Sequence, residues 1–211
     1  MSYFVIGDTA GQYNTLIELV KQLPEDANII LLGDEMDRGP DSNKVIEWAM
    51  KNEPKVRTVL SNHSHMMIDY VTNRARHYGH SCWLGNGGYA TLKSYNDIVP
   101  QEHIDFLASR PIKIELELEG KRFWISHAFP SAAWLDEADS PEPPLFSGEM
   151  EDRLWNRSYP IMHSRYDMAI CGHNSHFGLR TWSVGNIAGK DYGKCIDTSR
   201  SSILTALHLP S

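Results

Sequence analysis

The sequence lacks the features that would place it in a membrane, in a disulfide framework or on a nucleic acid. It has no run of about 18 apolar residues, the length that a membrane-spanning helix needs. Its three cysteines, Cys82, Cys171 and Cys195, are widely separated and odd in number, which argues against a zinc-type pair and a set of structural disulfides. A net charge of −7 argues against nucleic acid, because such a partner requires a basic surface.

The opening residues also lack the basic segment that precedes the apolar part of a signal peptide, so we interpret residues 2–7 as a first strand. The cysteine usage makes a reducing cytoplasm the expected location. At 211 residues, with 41% apolar and 22% charged residues, the chain can form one domain over residues 1–211 with a substantial core. Nothing in the sequence indicates an oligomeric state.

Three units of strand, polar loop and helix occupy the first third of the chain. Apolar strands are predicted at 2–7, 28–33 and 55–60. Helices are predicted at about 13–23 and 40–51, and a third follows the segment 61–65 and ends at about 76. This alternation predicts an α/β fold with a largely parallel sheet. Each strand delivers polar residues to the same edge of the sheet, where open α/β sheets place their chemistry.

The rest of the chain has a different pattern. The Gly-rich segment Trp83–Gly88 predicts a turn before a short helix; it could bind phosphate, but a need for unusual backbone angles explains it better. Residues 131–160 predict a long surface excursion with one short helix near 148–154. A helix is predicted at 101–109, a hairpin at 112–119 and 123–126, and further strands at 167–171, 179–184, 195–199 and 203–209.

The stretch Ile29–Gly39 is the centre of the predicted site. Four apolar residues run into Gly33-Asp34, and Asp37-Arg38-Gly39 follows at once. The apolar run is typical of a strand buried on both faces, so the polar cluster falls just past the end of that strand. Alone, this stretch fits a helix-capping turn with a surface ion pair as well as it fits a site.

The same placement recurs along the chain, and this favours a site. Carboxylates, an amide oxygen and imidazoles together suit divalent ions of the Mn, Fe or Zn type. A carboxylate such as that of Asp34 can bridge two ions, which can then bind a phosphate and activate a water for attack. The residues that follow strand ends are Asp8, Asp34, Asp37, Asn62, His63, His127 and His173.

Two arginines and an acid pair would complete such a site. Arg38 and Arg157 could bind phosphate oxygens in bidentate fashion, although Arg157 could equally form a surface ion pair. His63 could protonate the leaving alkoxide while Asp37 holds the orientation of the imidazole ring. His65, next to this cluster, lacks the strand-end placement and is interpreted as an ordinary histidine.

Taken in order, these motifs resemble those of the phosphoprotein phosphatase (PPP) family of metallophosphatases, and most closely its bacterial and lambda-phage serine/threonine phosphatase branch. The resemblance covers nearly the whole chain. The matching motifs are Gly7-Asp8-x-x-Gly11-Gln12, Gly33-Asp34-x-x-Asp37-Arg38-Gly39, Asn62-His63, Trp83–Gly88, His127-Ala128, Trp155-Asn156-Arg157, Gly172-His173 and Ile196-Asp197-Thr198.

The resemblance implies a calcineurin-like αββα sandwich in a single domain, with two divalent metal ions between the sheets. It implies manganese, with iron or zinc as alternatives, and hydrolysis of phosphomonoesters on a phosphoprotein or phosphopeptide. The implied roles are first-metal ligands Asp8 and Asp34; second-metal ligands Asp34, Asn62, His127 and His173; acid pair Asp37 and His63; and phosphate-binding residues Arg38 and Arg157.

The chain departs from the family pattern at several positions. Ala10 stands where the family has a histidine that binds the first metal, so this ion should be held less tightly. Leu60 and Ser64 replace the Arg and Glu of the family's Arg-Gly-Asn-His-Glu, and Ser199 replaces a Gly. Two alternatives to a protein phosphatase therefore stay open: a hydrolase like diadenosine tetraphosphatase, and a non-catalytic regulatory protein that binds phosphate.

Overall fold

The computed structural model describes residues 2–72, 74–158, 165–174, 179–182, 193–196 and 204–209. The strands are β1 Tyr3–Ile6, β2 Asn28–Leu31, β3 Val56–Thr58, β4 Lys113–Leu118, β5 Lys121–Ser126, β6 Met168–Cys171, β7 Leu179–Trp182, β8 Gly193–Ile196 and β9 Ala206–Leu209. The helices are α1 Tyr13–Val20, α2 Ser42–Lys51, α3 Asn62–Thr72, α4 His80–Trp83, α5 Tyr89–Ser94, α6 Gln101–Ala108, α7 Ala132–Asp136 and α8 Gly148–Trp155.

These strands form two sheets. In the first, with the order β3-β2-β1-β9, the three N-terminal strands are parallel and β9 is antiparallel to β1. In the second, with the order β4-β5-β6-β8-β7, β6 is parallel to both of its neighbours, and the outer pairs are antiparallel. The predicted parallel arrangement therefore holds for the first three strands, whereas both sheets are mixed as a whole.

The two sheets pack face to face through alternate residues of their strands. Val5 and Ile30 of the first sheet share one buried cluster with Phe123, Ile125 and Ile170 of the second. Because side chains alternate along a strand, the intervening residues point to the outer faces, where helices cover them. Residues of this outer core include Ile6, Leu16, Leu31, Val45, Trp124 and Trp134. The predicted αββα sandwich is confirmed.

This arrangement gathers several strand ends at one edge. The polar residues that follow β1, β2, β5 and β6, together with the first residues of α3, all lie there. The β4–β5 hairpin turns at Glu119 and Gly120. Their positive φ angles of 48° and 72° suit a two-residue type I′ turn. Among the described residues, no helix is long and apolar enough to cross a membrane.

Some local predictions hold, whereas others were wrong or fall outside the described residues. The predicted Gly-rich turn before a short helix is present, because the segment Leu84–Gly88 kinks at Gly87, whose φ is 117°, before α5 begins. The excursion at 131–160 contains two helices, α7 and α8, and not one. Helices α1 and α3 end at Val20 and Thr72, earlier than predicted. Residues 197–200, and with them the Asp197-Thr198 motif and Ser199, lie outside the described part of the chain.

Candidate metal and phosphate site

The imidazole of His127 shows where a cation would bind. Its Nδ1 lies 2.7 Å from the carbonyl oxygen of Leu32, which can only accept, so Nδ1 carries the proton. In the neutral ring, Nε2 then presents a lone pair. That lone pair faces the Asn62 side-chain oxygen at 2.7 Å, His173 Nδ1 at 3.2 Å and Asp34 Oδ1 at 3.5 Å.

Acceptor atoms gathered in this way repel each other unless a cation lies among them. Asp34 Oδ1 is buried and has no hydrogen-bond partner among the described residues, and the same is true of His173 Nε2. Suitably placed ligand atoms of Asp8, Asp34 and His127 also lie within 4.8 Å of one another. The donor set and its unpaired acceptors therefore fit divalent metal ions.

The electrostatics of the cluster favour its metal-binding protonation states. Burial alone raises the pKa of Asp34, but the adjacent His127 and His63 outweigh burial and hold the pKa of this carboxyl well below its usual value. Burial, together with His127 and Arg157, lowers the pKa of His173 to about 3. A carboxylate and a neutral imidazole are the forms that bind a metal.

Backbone strain is concentrated in this region. Asp34, Asp37, Arg38 and His173 adopt positive φ angles of 50°, 72°, 64° and 68°. Residues with a side chain rarely adopt this conformation, and each instance costs about 1–3 kcal/mol. The surrounding contacts hold these residues in place, which is typical of a site whose side chains must point in set directions.

Ala10 lies beside this cluster and is itself buried. Its backbone N–H donates to the carbonyl oxygen of Asp34 at 2.8 Å, and its own carbonyl accepts from Gly39 N–H at 3.0 Å. Main-chain hydrogen bonds thus join the β1–α1 loop to the Asp34–Gly39 loop. The methyl side chain of Ala10 offers no ligand, so the side of Asp34 that faces this loop has fewer donors than the side that faces His127.

Asp37 and His63 form a buried pair. His63 Nδ1 lies 2.5 Å from Asp37 Oδ2, and His63 Nε2 lies 3.8 Å from Asp34 Oδ2. Burial lowers the pKa of His63, but Asp34 and Asp37 together more than offset it, so the net shift is upward. The protonated imidazole is therefore favoured, with its Nε2 directed toward the metal-binding cluster.

Two residues that the sequence did not assign to the site hold Asp37 in place. Trp83 Nε1 donates to both carboxylate oxygens, at 3.1 Å and 2.9 Å. Thr91 Oγ1 donates to Oδ1 at 2.6 Å and accepts from the Asp37 backbone N–H at 2.9 Å. The Trp83–Gly88 segment matched a family motif without assigning Trp83 a role, and no sequence signal identified Thr91.

Arg38 lies against the same histidine. Its Nη2 is 3.2 Å from His63 Nε2, and its backbone N–H donates to the carbonyl oxygen of Gly87 at 3.3 Å. Gly87 has a φ of 117°, and a Cβ there would lie 2.8 Å from Arg38 Cγ. The Gly-rich segment therefore serves close packing against Arg38, consistent with the preferred sequence interpretation.

Arg157 reaches the site from the far end of the excursion. Its Nη1 donates to the carbonyl oxygen of His173 and to Asn174 Oδ1, both at 3.3 Å. The preceding residues anchor it: Asn156 Nδ2 donates to the Phe129 carbonyl at 2.7 Å, and the Trp155 ring contacts that of His173. Arg157 is exposed, so its guanidinium can accept an anion.

The positions where the chain departs from the family pattern have structural roles. Leu60 is buried in the outer core. Ser64 Oγ lies 2.8 Å from Ser61 Oγ, which accepts from the Ser64 backbone N–H at 3.1 Å and stabilises the start of α3.

His65 faces away from the metal-binding cluster: its Nδ1 lies 2.7 Å from Tyr78 Oη and its Nε2 lies 2.5 Å from the Leu145 carbonyl.

Glu35 is a buried carboxyl that the sequence analysis did not single out. It is 0% exposed, accepts a hydrogen bond from Thr58 Oγ1, and has no partner for Oε2 among the described residues. Burial raises the pKa of Glu35 to about 7, against the lowering effect of the Thr58 hydrogen bond. The pKa of Glu35 is thus shifted in the opposite direction from that of Asp34, the preceding residue, which stays ionised.

An αββα sandwich with a carboxylate, amide and imidazole cluster at its strand ends defines the class of metallophosphoesterases. A sequence profile described as calcineurin-like phosphoesterase matches residues 1–183. The chain therefore belongs to the calcineurin-like phosphoesterase family.

Individual relatives differ in what they act on. Over 140 residues the chain is 31% identical to serine/threonine-protein phosphatase 2 of Escherichia coli, covering 63% of this chain and 61% of that protein. Over 169 residues it is 28% identical to a symmetrical bis(5'-nucleosyl)-tetraphosphatase of Erwinia tasmaniensis, covering 76% of this chain and 55% of that protein. The alignments therefore span only about half to three fifths of these relatives.

The fold is also seen in solved structures. The crystal structure of a cold-active protein-tyrosine phosphatase from a Shewanella species matches with a TM-score of 0.59 at 15% identity, covering 98% of this chain and 75% of that one. At this identity the likeness supports the fold alone.

Proposed function

We propose that the protein is a cytoplasmic, metal-dependent phosphomonoesterase that acts on phosphoproteins or phosphopeptides, with manganese as its metal. The observation that carries this proposal is the position of His63 Nε2. It lies 3.2 Å from the guanidinium of Arg38 and 3.8 Å from the carboxylate of Asp34. An acid at this point faces both a phosphate-binding cation and a metal-binding carboxylate, as hydrolysis of a phosphate ester requires.

Each residue then has a defined task. Arg38 and Arg157 bind and orient the phosphate oxygens. Asp8 and Asp34 would hold one divalent ion, and Asp34, Asn62, His127 and His173 would hold the other. Ions bound there would polarise the phosphate and lower the pKa of the attacking water. His63 delivers a proton to the leaving alkoxide oxygen, and Asp37 stabilises the imidazolium before that transfer.

The direct test is phosphate release from para-nitrophenyl phosphate and from a phosphoserine peptide in the presence of Mn²⁺. We expect both substrates to be hydrolysed, and we expect EDTA to abolish the activity. The variant Asp34→Asn should lose both ions and the activity together, because it weakens the shared carboxylate. Absence of hydrolysis in the metal-loaded protein would overturn the proposal and favour the non-catalytic binder, to which Ala10, Leu60 and Ser64 point.

A second candidate is hydrolysis of bis(5'-nucleosyl) tetraphosphate. It is favoured by the similarity to the Erwinia enzyme, which covers more of this chain than the protein phosphatase does. The two substrates can be compared directly. A higher kcat/KM for diadenosine tetraphosphate than for the phosphoserine peptide would make the dinucleotide the substrate class.

A further inference from the structure

A cavity of about 500 Å³ opens next to Arg157. It lies between α7 and α8 of the excursion, and Trp155, Asn156 and Arg157 form the wall nearest the metal-binding cluster. Trp155 also contacts the ring of His173. A substrate whose phosphate is bound by Arg157 would therefore extend into this space.

The cavity carries an excess of negative charge. Glu137, Glu149 and Asp152 line it, against two cations, Arg153 and Arg157. Arg153 is 8% exposed, and its Nη2 binds both Glu137 Oε2, at 3.1 Å, and Glu149 Oε1. The Arg153 guanidinium thus forms ion pairs with two carboxylates. Asp152 is exposed and forms no ion pair among the described residues.

The floor of the cavity is aromatic. Trp134 lies beneath it, is 2% exposed and has the Arg153 guanidinium over its ring, 5.5 Å from the ring centroid. The half-buried Trp155 ring lines the same space. The Trp155 ring beside carboxylates suits a long aliphatic side chain that ends in a cation, because the stem packs on the ring and the charge meets the acids.

We infer that this cavity binds a lysine or arginine side chain that flanks the phosphorylated residue of a peptide substrate. The inference rests on the proposed phosphatase function and narrows its substrate class. Asp152, together with the two glutamates bound to Arg153, would repel a polyphosphate chain extending from Arg157, so the cavity selects against dinucleoside polyphosphates as well.

The experiment uses two peptides of equal length that differ only in having lysine or glutamate beside the phosphoserine. Affinity is measured by fluorescence anisotropy with phosphonate analogues of the two peptides, which are not hydrolysed, and kcat/KM is measured by phosphate release from the phosphoserine forms. We expect the lysine peptide to bind and react about 1.5- to 5-fold better, the range of an exposed charge pair.

Asp152→Lys should abolish or invert that ratio, since it reverses the charge without disturbing a buried contact. Asp26→Lys, an equal charge change at an exposed turn between α1 and β2, is the matched control and should leave the ratio unchanged. An equal loss in both variants would mean that net charge alone sets the preference, and the cavity inference would be wrong.

The outcomes separate the inference from the proposed function. Hydrolysis of both peptides with no preference for lysine overturns the inference and leaves the phosphatase function in place. A lysine preference in binding that Asp152→Lys removes, without hydrolysis of either peptide, supports the cavity inference and contradicts the catalytic proposal. If neither peptide binds, both are overturned.

Discussion

Asp37 Oδ2 lies 2.5 Å from His63 Nδ1, and the same carboxylate also accepts hydrogen bonds from other residues. Trp83 and Thr91 donate to the same carboxylate, so Asp37 has little freedom to move away from the histidine. This relationship keeps a proton on His63 Nδ1 and directs Nε2 toward Arg38 and Asp34. As a result, His63 Nε2 is the ring nitrogen that is available to the substrate.

His63 should therefore matter most when the leaving group is a poor one. We expect His63→Asn to lower kcat by about 10²- to 10⁴-fold for a phosphoserine peptide, the usual contribution of a general acid. Para-nitrophenolate leaves without being protonated, so kcat for that ester should fall much less. Steady-state kinetics on both substrates test this. Equal losses on the two would show that His63 acts in binding or folding instead.

Restoring the missing ligand should raise metal occupancy. We expect Ala10→His to increase the number of ions retained per chain after gel filtration, because an imidazole there adds a donor beside Asp8 and Asp34. Histidine is among the residues that tolerate the φ of 45° found at this position. Metal analysis by mass spectrometry gives the stoichiometry, and phosphatase rates at limiting Mn²⁺ should rise with it.

Ala10→Gly is the matched control, since it relieves the backbone without adding a ligand. It should leave the ion count unchanged. If Ala10→His and Ala10→Gly retained the same number of ions, the assignment of position 10 to the first metal would be wrong.

Glu35 should make the metal-free protein less stable as pH rises. Its pKa is about 7 in the folded protein against an ordinary value of 4.5, so the folded state binds more protons than the unfolded state between these values. Stability from this group is present below about pH 4.5 and is lost as pH rises through about 7. The full penalty is about 3 kcal/mol, from about 1.4 kcal/mol per pKa unit.

We therefore expect Glu35→Gln to increase the free energy of unfolding by up to about 3 kcal/mol at about pH 8, and to change it little at about pH 5. Urea denaturation in EDTA at the two pH values measures both quantities. Glu25→Gln, at an exposed turn, is the control and should have no effect at either pH. A stabilisation that does not depend on pH would show that Glu35 is not the titrating group.

Two glycines in one turn should respond in opposite ways to alanine. Gly87→Ala places a Cβ against Arg38 and forces a strained φ, so we expect a loss of about 1–3 kcal/mol of stability and a raised KM. Gly85 has open space around its Cβ position, and alanine is the better helix former by about 1 kcal/mol. Gly85→Ala should therefore be neutral or stabilising, with KM unchanged. Similar KM values for the two variants would contradict the proposed role of the Arg38 contact.

The sequence was informative where local pattern and chemistry coincide. The apolar runs before Asp8 and Asp34 predicted the strands, and the repeated polar residues after strand ends predicted which side chains would meet. The αββα arrangement came from the resemblance, since hydrophobic alternation shows that a strand has two faces but not which sheet packs on it. Residues 113–118 and 121–126 showed a hairpin, but not its pairing with the later parallel strand β6.

The parts that were missed depend on contacts across long stretches of chain. Thr91 binds Asp37 from a helix that carries no motif, and Glu35 stands next to a predicted ligand without any sign in the sequence of its burial. The unpredicted helix of the excursion, α7, is only five residues long and is stabilised by packing of Trp134 on Trp124, with ring centroids 4.9 Å apart. Such packing has no signature in the local sequence.

The pairing of β1 with β9 has a consequence for the order of assembly. Strand β1, which leads into Asp8, is flanked on one side by β2 but on the other by residues 206–209, with Tyr3 opposite Leu209. During synthesis on the ribosome, β1 therefore remains an unprotected edge until β9 has emerged. Asp8 is therefore synthesised early, but the strand that leads into it is enclosed only when β9 has been made. In the interval, nascent chains could pair through the exposed edge of β1.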